Sequence, residues 1–256
     1  MAHQSHRKQR RRQASRNAAS GQDVLFYGRH AVEAALKNER RRIHTLYADK
    51  AFLDKARQSR SDFHSAAFTA DIAAQLPRGA VHQSVAAHVS PLEQPALEAF
   101  LSSDPSSTIL ILDQVTDPQN VGAIFRSAAG FGAGAVVMQD KHAPGESGAL
   151  ARAASGALEL LPWIAVTNLS RTLSTLAEAG YWCVGLDGTS DSPLEAAVAN
   201  QVKLCLVLGA EGAGIRQNVK QHCDMTAKLE MSPRLESLNV SNAAAVALYI
   251  ANVRQR

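Results

Sequence analysis

Short apolar runs separated by polar, Gly- or Pro-bearing breaks recur along the chain, most clearly from residue 109 to 138, ILILDQVTDPQNVGAIFRSAAGFGAGAVVM. Residues 109–112 are continuously apolar, the pattern of a strand buried on both faces. Residues 113–120 are polar and contain Pro118, so the chain leaves the sheet there. From Val121 the spacing predicts a helix over 121–129 with Ile124 and Phe125 inward. Asn120 then falls at its N-cap, and Arg126, less than two turns later, can reach back over the strand's carboxyl end. Ligands of open α/β sheets sit at such ends, which makes Asn120 and Arg126 functional candidates. An ordinary cap and a solvated arginine would look the same.

The same reading carries through the rest. Upstream, it predicts a helix over 28–38 with Ala31, Val32, Ala35 and Leu36 inward, then a strand at 43–48 and a helix at 51–60. A strand at 66–69, a short helix at 71–76 stopped by Pro77, and one or two strands within 81–89 complete the set. Residues 91–107 hold three prolines around a modest helix at 97–101 and read as a linker. Beyond it, strands at 135–138, 160–166, 181–186, 204–208 and 225–229 alternate with helices at 148–155, 169–179, 215–222 and 239–252. The expected organisation is a tail at 1–22, a small α/β unit at 23–90, the linker, and an α/β domain with a mainly parallel sheet at 108–256.

Composition changes this picture in one place. With 46% hydrophobic and 20% charged residues the chain is globular. No apolar run approaches the roughly 20 residues of a membrane helix, and the start lacks the apolar stretch of a secretory signal, so a cytoplasmic protein without membrane contact is expected. Three cysteines without CxxC or paired-His spacing indicate neither a disulfide framework nor a metal site. The charge, however, is uneven. Six of the 27 basic residues and no acid fall in 1–22, leaving 21 basic against 23 acidic residues elsewhere. Such a tail suits phosphate contact, with a solvated leader, a localisation patch and a transit peptide as alternatives. Arg7, Lys8, Arg10, Arg11 and Arg12, with Arg29 and Arg41 of the folded part, are the candidate nucleic-acid contacts.

Two further loops carry polar groups. GAEGAG, residues 209–214, follows an apolar strand, has neither dinucleotide nor phosphate-loop spacing, and centres on one ionisable group, Glu211. LESLNVSN, residues 235–242, brings Ser237, Asn239, Ser241 and Asn242 to the start of a very apolar helix, more than one cap requires.

Together, DPQNVGAIFRSAAGFG, LVLGAEGAGI and SLNVSNAAAVALY resemble the three motifs of the SpoU/TrmH family of ribose 2′-O-methyltransferases, of the SPOUT class. The resemblance covers residue 109 to the C-terminus, and FYGRHAVEAAL resembles the opening of the substrate-binding domain of the RlmB-like subgroup. The resemblance implies a deep trefoil knot in the C-terminal domain, S-adenosylmethionine as cofactor, a homodimer, and a guanosine of large-subunit (23S) ribosomal RNA as target. A tRNA target or a non-catalytic RNA-binding relative are the alternatives, and lack of GxGxxG argues against a nucleotide-dependent oxidoreductase. Carried over by position, the catalytic set is Asn120, Arg126, Glu211, Ser237 and Asn239. The cofactor contacts are Leu208, Gly209, Gly214, Leu229, Met231 and Leu238, with no metal. The chain departs from the subgroup's pattern at Leu229-Glu230-Met231 and at Pro233.

Overall fold

The computed structural model describes residues 23–103, 108–141, 143–232, 234–235 and 237–254; the five tail candidates and Pro233 lie outside these residues. The first unit comprises β1 (Val24–Tyr27), α1 (Arg29–Lys37), β2 (Ile43–Ala48), α2 (Lys50–Ser59), β3 (His64–Ala67), α3 (Ala70–Ala74) and β4 (Ala86–Val89). Its sheet runs β1-β4-β2-β3, with β4 antiparallel to both neighbours and β3 parallel to β2. Helix α1 buries the expected Ala31, Val32, Ala35 and Leu36. Asp49 caps α2 by accepting from the Phe52 N–H, and Phe52 and Ala56 face inward. Two expectations shift. Strand β1 carried too little alternation to be read, and residues 81–85 are not a strand, because Gln83 and Ser84 both adopt φ of 53° and break the extended backbone.

The second unit comprises α4 (Leu97–Leu101), β5 (Ile109–Asp113), α5 (Pro118–Gly130), β6 (Ala135–Gln139), α6 (Gly148–Ala154), β7 (Trp163–Val166), α7 (Leu169–Glu178), β8 (Trp182–Leu186), α8 (Leu194–Ala197), β9 (Leu204–Gly209), α9 (Gln217–Lys220), β10 (Met225–Ala227) and α10 (Val240–Arg254). Six parallel strands form the order β10-β8-β9-β5-β6-β7. Both faces are covered, which explains the unbroken apolar runs. Leu110, Leu112, Leu206 and Leu208 pack with Ile124 and Phe125 of α5 and Ala244 and Leu248 of α10. Ile109, Ile111, Cys205 and Val207 turn the other way onto Leu169, Leu173 and Leu176 of α7. Each such side chain, fully buried, contributes roughly 1.5–3 kcal/mol. The chain winds outward from β5 through β6 to β7, then returns to fill the other side of β5. Winding therefore reverses between β5 and β9, and a crevice opens at their carboxyl ends.

The two units share one continuous core. Strand β1 lies so close to α6 that a Cβ at Gly148 would sit 2.3 Å from the Leu25 carbonyl oxygen and 2.7 Å from the Tyr27 ring. The segment expected as a linker is itself anchored. Leu97 is buried against the large sheet, and Gln94 Oε1 accepts from the Trp163 N–H at 2.9 Å.

At this junction the expectation for Arg41 is overturned. Its guanidinium is fully buried, with Nη2 2.7 Å from Glu159 Oε1 and Nη1 donating to the Ser90 carbonyl at 2.8 Å. Arg41 therefore holds the units together and cannot meet RNA. A triple-arginine run reads as solvated charge in sequence; the two carboxylates that accept it come from residues more than a hundred positions away. Arg29 remains exposed, over the Phe52 ring and near Glu33.

Candidate active site

Three loops meet at the crevice. The first leaves β5 after Asp113, where Gln114 takes φ of 62° and turns the chain off the sheet. Helix α5 starts earlier than its periodicity indicated, with Pro118 in its first turn. Asp117 is its cap, accepting from the N–H groups of Gln119 and Asn120 at 3.3 and 3.1 Å. Asn120 is thus not the cap but a first-turn residue, and its amide is left available to the crevice. Pro suits the first helical position because the N–H it lacks has no intrahelical partner there.

The second loop closes on itself, the Gly214 N–H donating to the Ala210 carbonyl at 2.8 Å and Gly212 and Gly214 both at positive φ. Its first residue, Gly209, admits no side chain. A Cβ there would fall 2.0 Å from the Gly214 carbonyl carbon and 2.2 Å from the Ile215 nitrogen. The third loop enters α10 at Asn239, whose Oδ1 accepts from the Ser241 N–H at 2.9 Å in the manner of a cap.

Side chains from all three loops form one hydrogen-bonded cycle. Asn239 Nδ2 donates to Glu211 Oε1 at 2.6 Å and to Asn120 Oδ1 at 3.0 Å, while Asn120 Nδ2 donates to Glu211 Oε1 at 3.1 Å. The Val240 N–H adds a third contact to Glu211 Oε1 at 3.3 Å, at the start of α10. A carboxylate at a helix N-terminus is favoured by the dipole and by otherwise unpartnered N–H groups. Asn239 therefore serves twice, its oxygen capping a helix and its nitrogen orienting two site residues. Glu211 and Asn239 are exposed and Asn120 is half-buried, so the cycle faces outward.

Arg126 and Ser237 do not join it. Both are exposed and, among the described residues, neither side chain has a hydrogen-bond partner. Of the residues expected to hold a cofactor, Leu208 is buried beneath the loops, Leu229 and Leu238 are half-buried, and Gly214 and Met231 are exposed. Residues 229–239 form neither helix nor strand among those described, so their backbone groups are not committed to a ladder. Glu230 is exposed within this stretch.

Three polar residues were missed by reading the sequence. Asp113 is completely buried and is gripped by Arg216, whose Nη2 also donates to Gln139 Oε1 at 3.0 Å. A carboxylate ending a fully apolar strand was the available signal, since buried charge demands a partner. The cysteines offer no nucleophile: Cys183 and Cys205 are buried, and burial pushes the Cys223 thiol up to about 12.

Comparison with known proteins bears on both units. Residues 107–249 match the model of the SpoU rRNA Methylase family, and residues 25–95 match that of RNA 2′-O ribose methyltransferase substrate binding. The chain is 37% identical over 237 residues to the 23S rRNA (guanosine-2′-O-)-methyltransferase RlmB of Pseudomonas aeruginosa, covering 87% of this chain and 93% of that one. It is 36% identical over 242 residues to RlmB of Escherichia coli K12, covering 91% and 98%. In architecture it resembles the SpoU methyltransferase AviRb of Streptomyces viridochromogenes, solved with AdoMet, at a TM-score of 0.77, with 21% identity over 93% of this chain and 92% of that one. The family match spans the three loops whose side chains close the cycle, and the chain is a member of the SpoU rRNA methylase family.

Proposed function

We propose that the protein methylates the 2′-hydroxyl of a guanosine ribose in 23S ribosomal RNA, using S-adenosylmethionine, as a cytoplasmic homodimer whose C-terminal domain is knotted. The observation that carries this reading is the Asn120–Glu211–Asn239 cycle at the β5/β9 switch point, in a chain whose relatives carry that activity in their names.

The cofactor's fit rests on the second and third loops. Gly209 must lack a side chain for backbone to close up beside it, and the described residues between 229 and 239 lie in no helix or strand, with the apolar side chains of Leu229 and Met231 among them. Leu208, Gly209, Gly214, Leu229, Met231 and Leu238 would hold the group, which supplies an activated methyl when bound. The remaining task of the chain is to bring one ribose hydroxyl into line and to exclude other acceptors. Arg126 presents a planar, positively charged fork of donors, so its role is to grip the target phosphate and aim the hydroxyl. Glu211, oriented by two amides and a helix N-terminus, offsets that charge, and Ser237 adds a hydroxyl on the same side.

The dimer reading follows from α10. One face packs Ala244, Ala247, Leu248 and Ala251 inward, while Val246, Tyr249 and Val253, at 42%, 57% and 49% exposure, form a second apolar stripe. Tyr249 meets Phe131 edge-on at 6.0 Å, so the stripe continues to the end of α5, the helix that carries Arg126. A second copy covering it would bring its own Arg126 toward this chain's cofactor loops. Two inactive variants test this. Arg126→Ala and Gly209→Val refolded together should regain part of the wild-type methyl transfer to ribosomal RNA, and no recovery would confine each site to one chain. Arg126→Ala alone should lose transfer while keeping cofactor affinity within a few-fold.

A further inference from the structure

We infer that Asp113 and Arg216 are positioning residues for the methyl-transfer reaction, forming a clasp that closes the loop carrying Glu211 and so sets where that carboxylate stands. The inference rests on the methyltransferase reading for its activity arm only.

The clasp is visible in how both ends of the loop return to one residue. At its start, Gly209 is the strand partner of Asp113 in the β5–β9 ladder. At its end, the Arg216 N–H donates to Asp113 Oδ2 at 2.8 Å, Arg216 Nε donates to Oδ1 at 2.8 Å, and Nη2 lies 2.7 Å from the same oxygen. Six residues, 210–215, are thereby held between two fixed points on one residue, the Asp113 backbone at one end and its buried carboxylate at the other. Glu211 is the second of them, and its side chain reaches out to Asn120 and Asn239.

The clasp is braced from outside. Arg216 Nη2 donates to Gln139 Oε1 at 3.0 Å, and Gln139 Nε2 donates to the Thr167 carbonyl at 3.0 Å. A polar row thus runs along the carboxyl ends of β5, β6 and β7, and it references the Glu211 loop to three strands of the sheet. Two nitrogens of the arginine fork on one carboxylate oxygen, with the backbone N–H on the other, fix angle as well as distance, which a single ammonium contact does not. Asp113 itself is completely buried and so cannot touch RNA or a methyl donor, and Arg216, its side chain 37% exposed, commits Nε and Nη2 to Asp113 and Gln139. The effect of Asp113 must pass through the loop.

Asp113→Asn keeps the shape of the side chain but loses its charge and one acceptor. In single-turnover methylation of ribosomal RNA at saturating S-adenosylmethionine it should slow transfer at least tenfold. Combined with Glu211→Gln it should slow transfer less than twofold further, because both changes act through one carboxylate. Independently of activity, hydrogen exchange of the amides at 210–216 should accelerate at least tenfold, with those of Leu110 and Ile111 unchanged. Arg216→Lys, which retains charge and the backbone bond, should give the same pattern more weakly and serves if Asp113→Asn folds poorly. Wild-type transfer in both variants, losses that multiply with Glu211→Gln, or unchanged exchange in the loop would each overturn the clasp. A wild-type protein that transfers no methyl group would sink the methyltransferase reading, and the clasp would still stand or fall by exchange.

Discussion

Replacing Arg41 by Met should be among the most damaging single changes in the protein, although Arg41 lies in a run of three arginines and touches no site residue. Its guanidinium is fully buried, stacked over the Phe26 ring at 4.9 Å, and faces two carboxylates of the other unit. Glu159 receives Nε at 3.0 Å and Nη2 at 2.7 Å, and Asn38 donates to its second oxygen at 2.6 Å. Glu146 Oε1 lies 2.5 Å from Nη2 without hydrogen-bond alignment, while its Oε2 accepts the Leu92 N–H at 3.1 Å. Burial alone would pull the Arg41 pKa down, but the two carboxylates outweigh it and the net displacement is upward. Removing the cation leaves two buried carboxylates uncompensated, a loss of about 3–5 kcal/mol for breaking a buried pair from one side. For a chain of this length each kcal/mol corresponds to roughly 2–4 °C, so melting should fall by about 6–20 °C. Calorimetry of wild type and Arg41→Met at pH 7 reads this directly. Adding Glu146→Gln and Glu159→Gln to Arg41→Met should recover most of the loss, because the unpaired charges are then gone. A melting temperature within about 3 °C of wild type for Arg41→Met would refute the reasoning, and absence of recovery in the triple variant would assign the loss to packing.

Other outcomes follow from the same geometry. Burial is the largest influence on Glu146 and raises its pKa, with Arg41 opposing incompletely, so the folded state favours the protonated form. That contribution is complete below the ordinary carboxylate range and is lost as pH rises through the raised value. Wild type should therefore lose stability relative to Glu146→Gln as pH rises above the ordinary carboxylate range, as measured by denaturant titration, and parallel curves would contradict the assignment. Gly209→Ala should abolish detectable S-adenosylmethionine binding in calorimetry, since its Cβ would meet Gly214 backbone at 2.0 Å; wild-type affinity would remove Gly209 from the cofactor site. Tyr249→Asp, in the exposed stripe of α10, should convert a dimer into a monomer in sedimentation at micromolar concentration. A wild-type protein that is already monomeric would defeat the dimer reading.

How much of this was legible depended on whether the information was local. The run at 109–112 declared a strand buried on both faces, and α1 displayed its inward face in its spacing, because both signals are written in neighbouring residues. The beginning of α5 was misjudged by three residues because Asp117 and Pro118 give a stronger start than the apolar period that follows. The cycle members were recognisable as polar groups at loop ends, yet their mutual bonding was not, since Asn120 and Glu211 are 91 positions apart. Arg41 and Arg216 were illegible for the same reason. What decides whether an arginine is solvated or buried is the carboxylate that the fold delivers to it, and in both cases that carboxylate lies about a hundred positions away. Of the two departures from the subgroup's pattern, Glu230 is exposed and Pro233 lies outside the described residues.

The central claim is that the crevice bounded by Asn120, Glu211 and Asn239 directs a methyl group to one ribose hydroxyl. The most direct measurement incubates the protein with methyl-labelled S-adenosylmethionine and unmodified 23S ribosomal RNA, digests the product to nucleosides, and identifies the labelled one by chromatography and mass. A single product, 2′-O-methylguanosine, is expected at one position and should be lost when Glu211 is replaced by Ala. Label on a base, or none on ribose with intact cofactor binding, would contradict it.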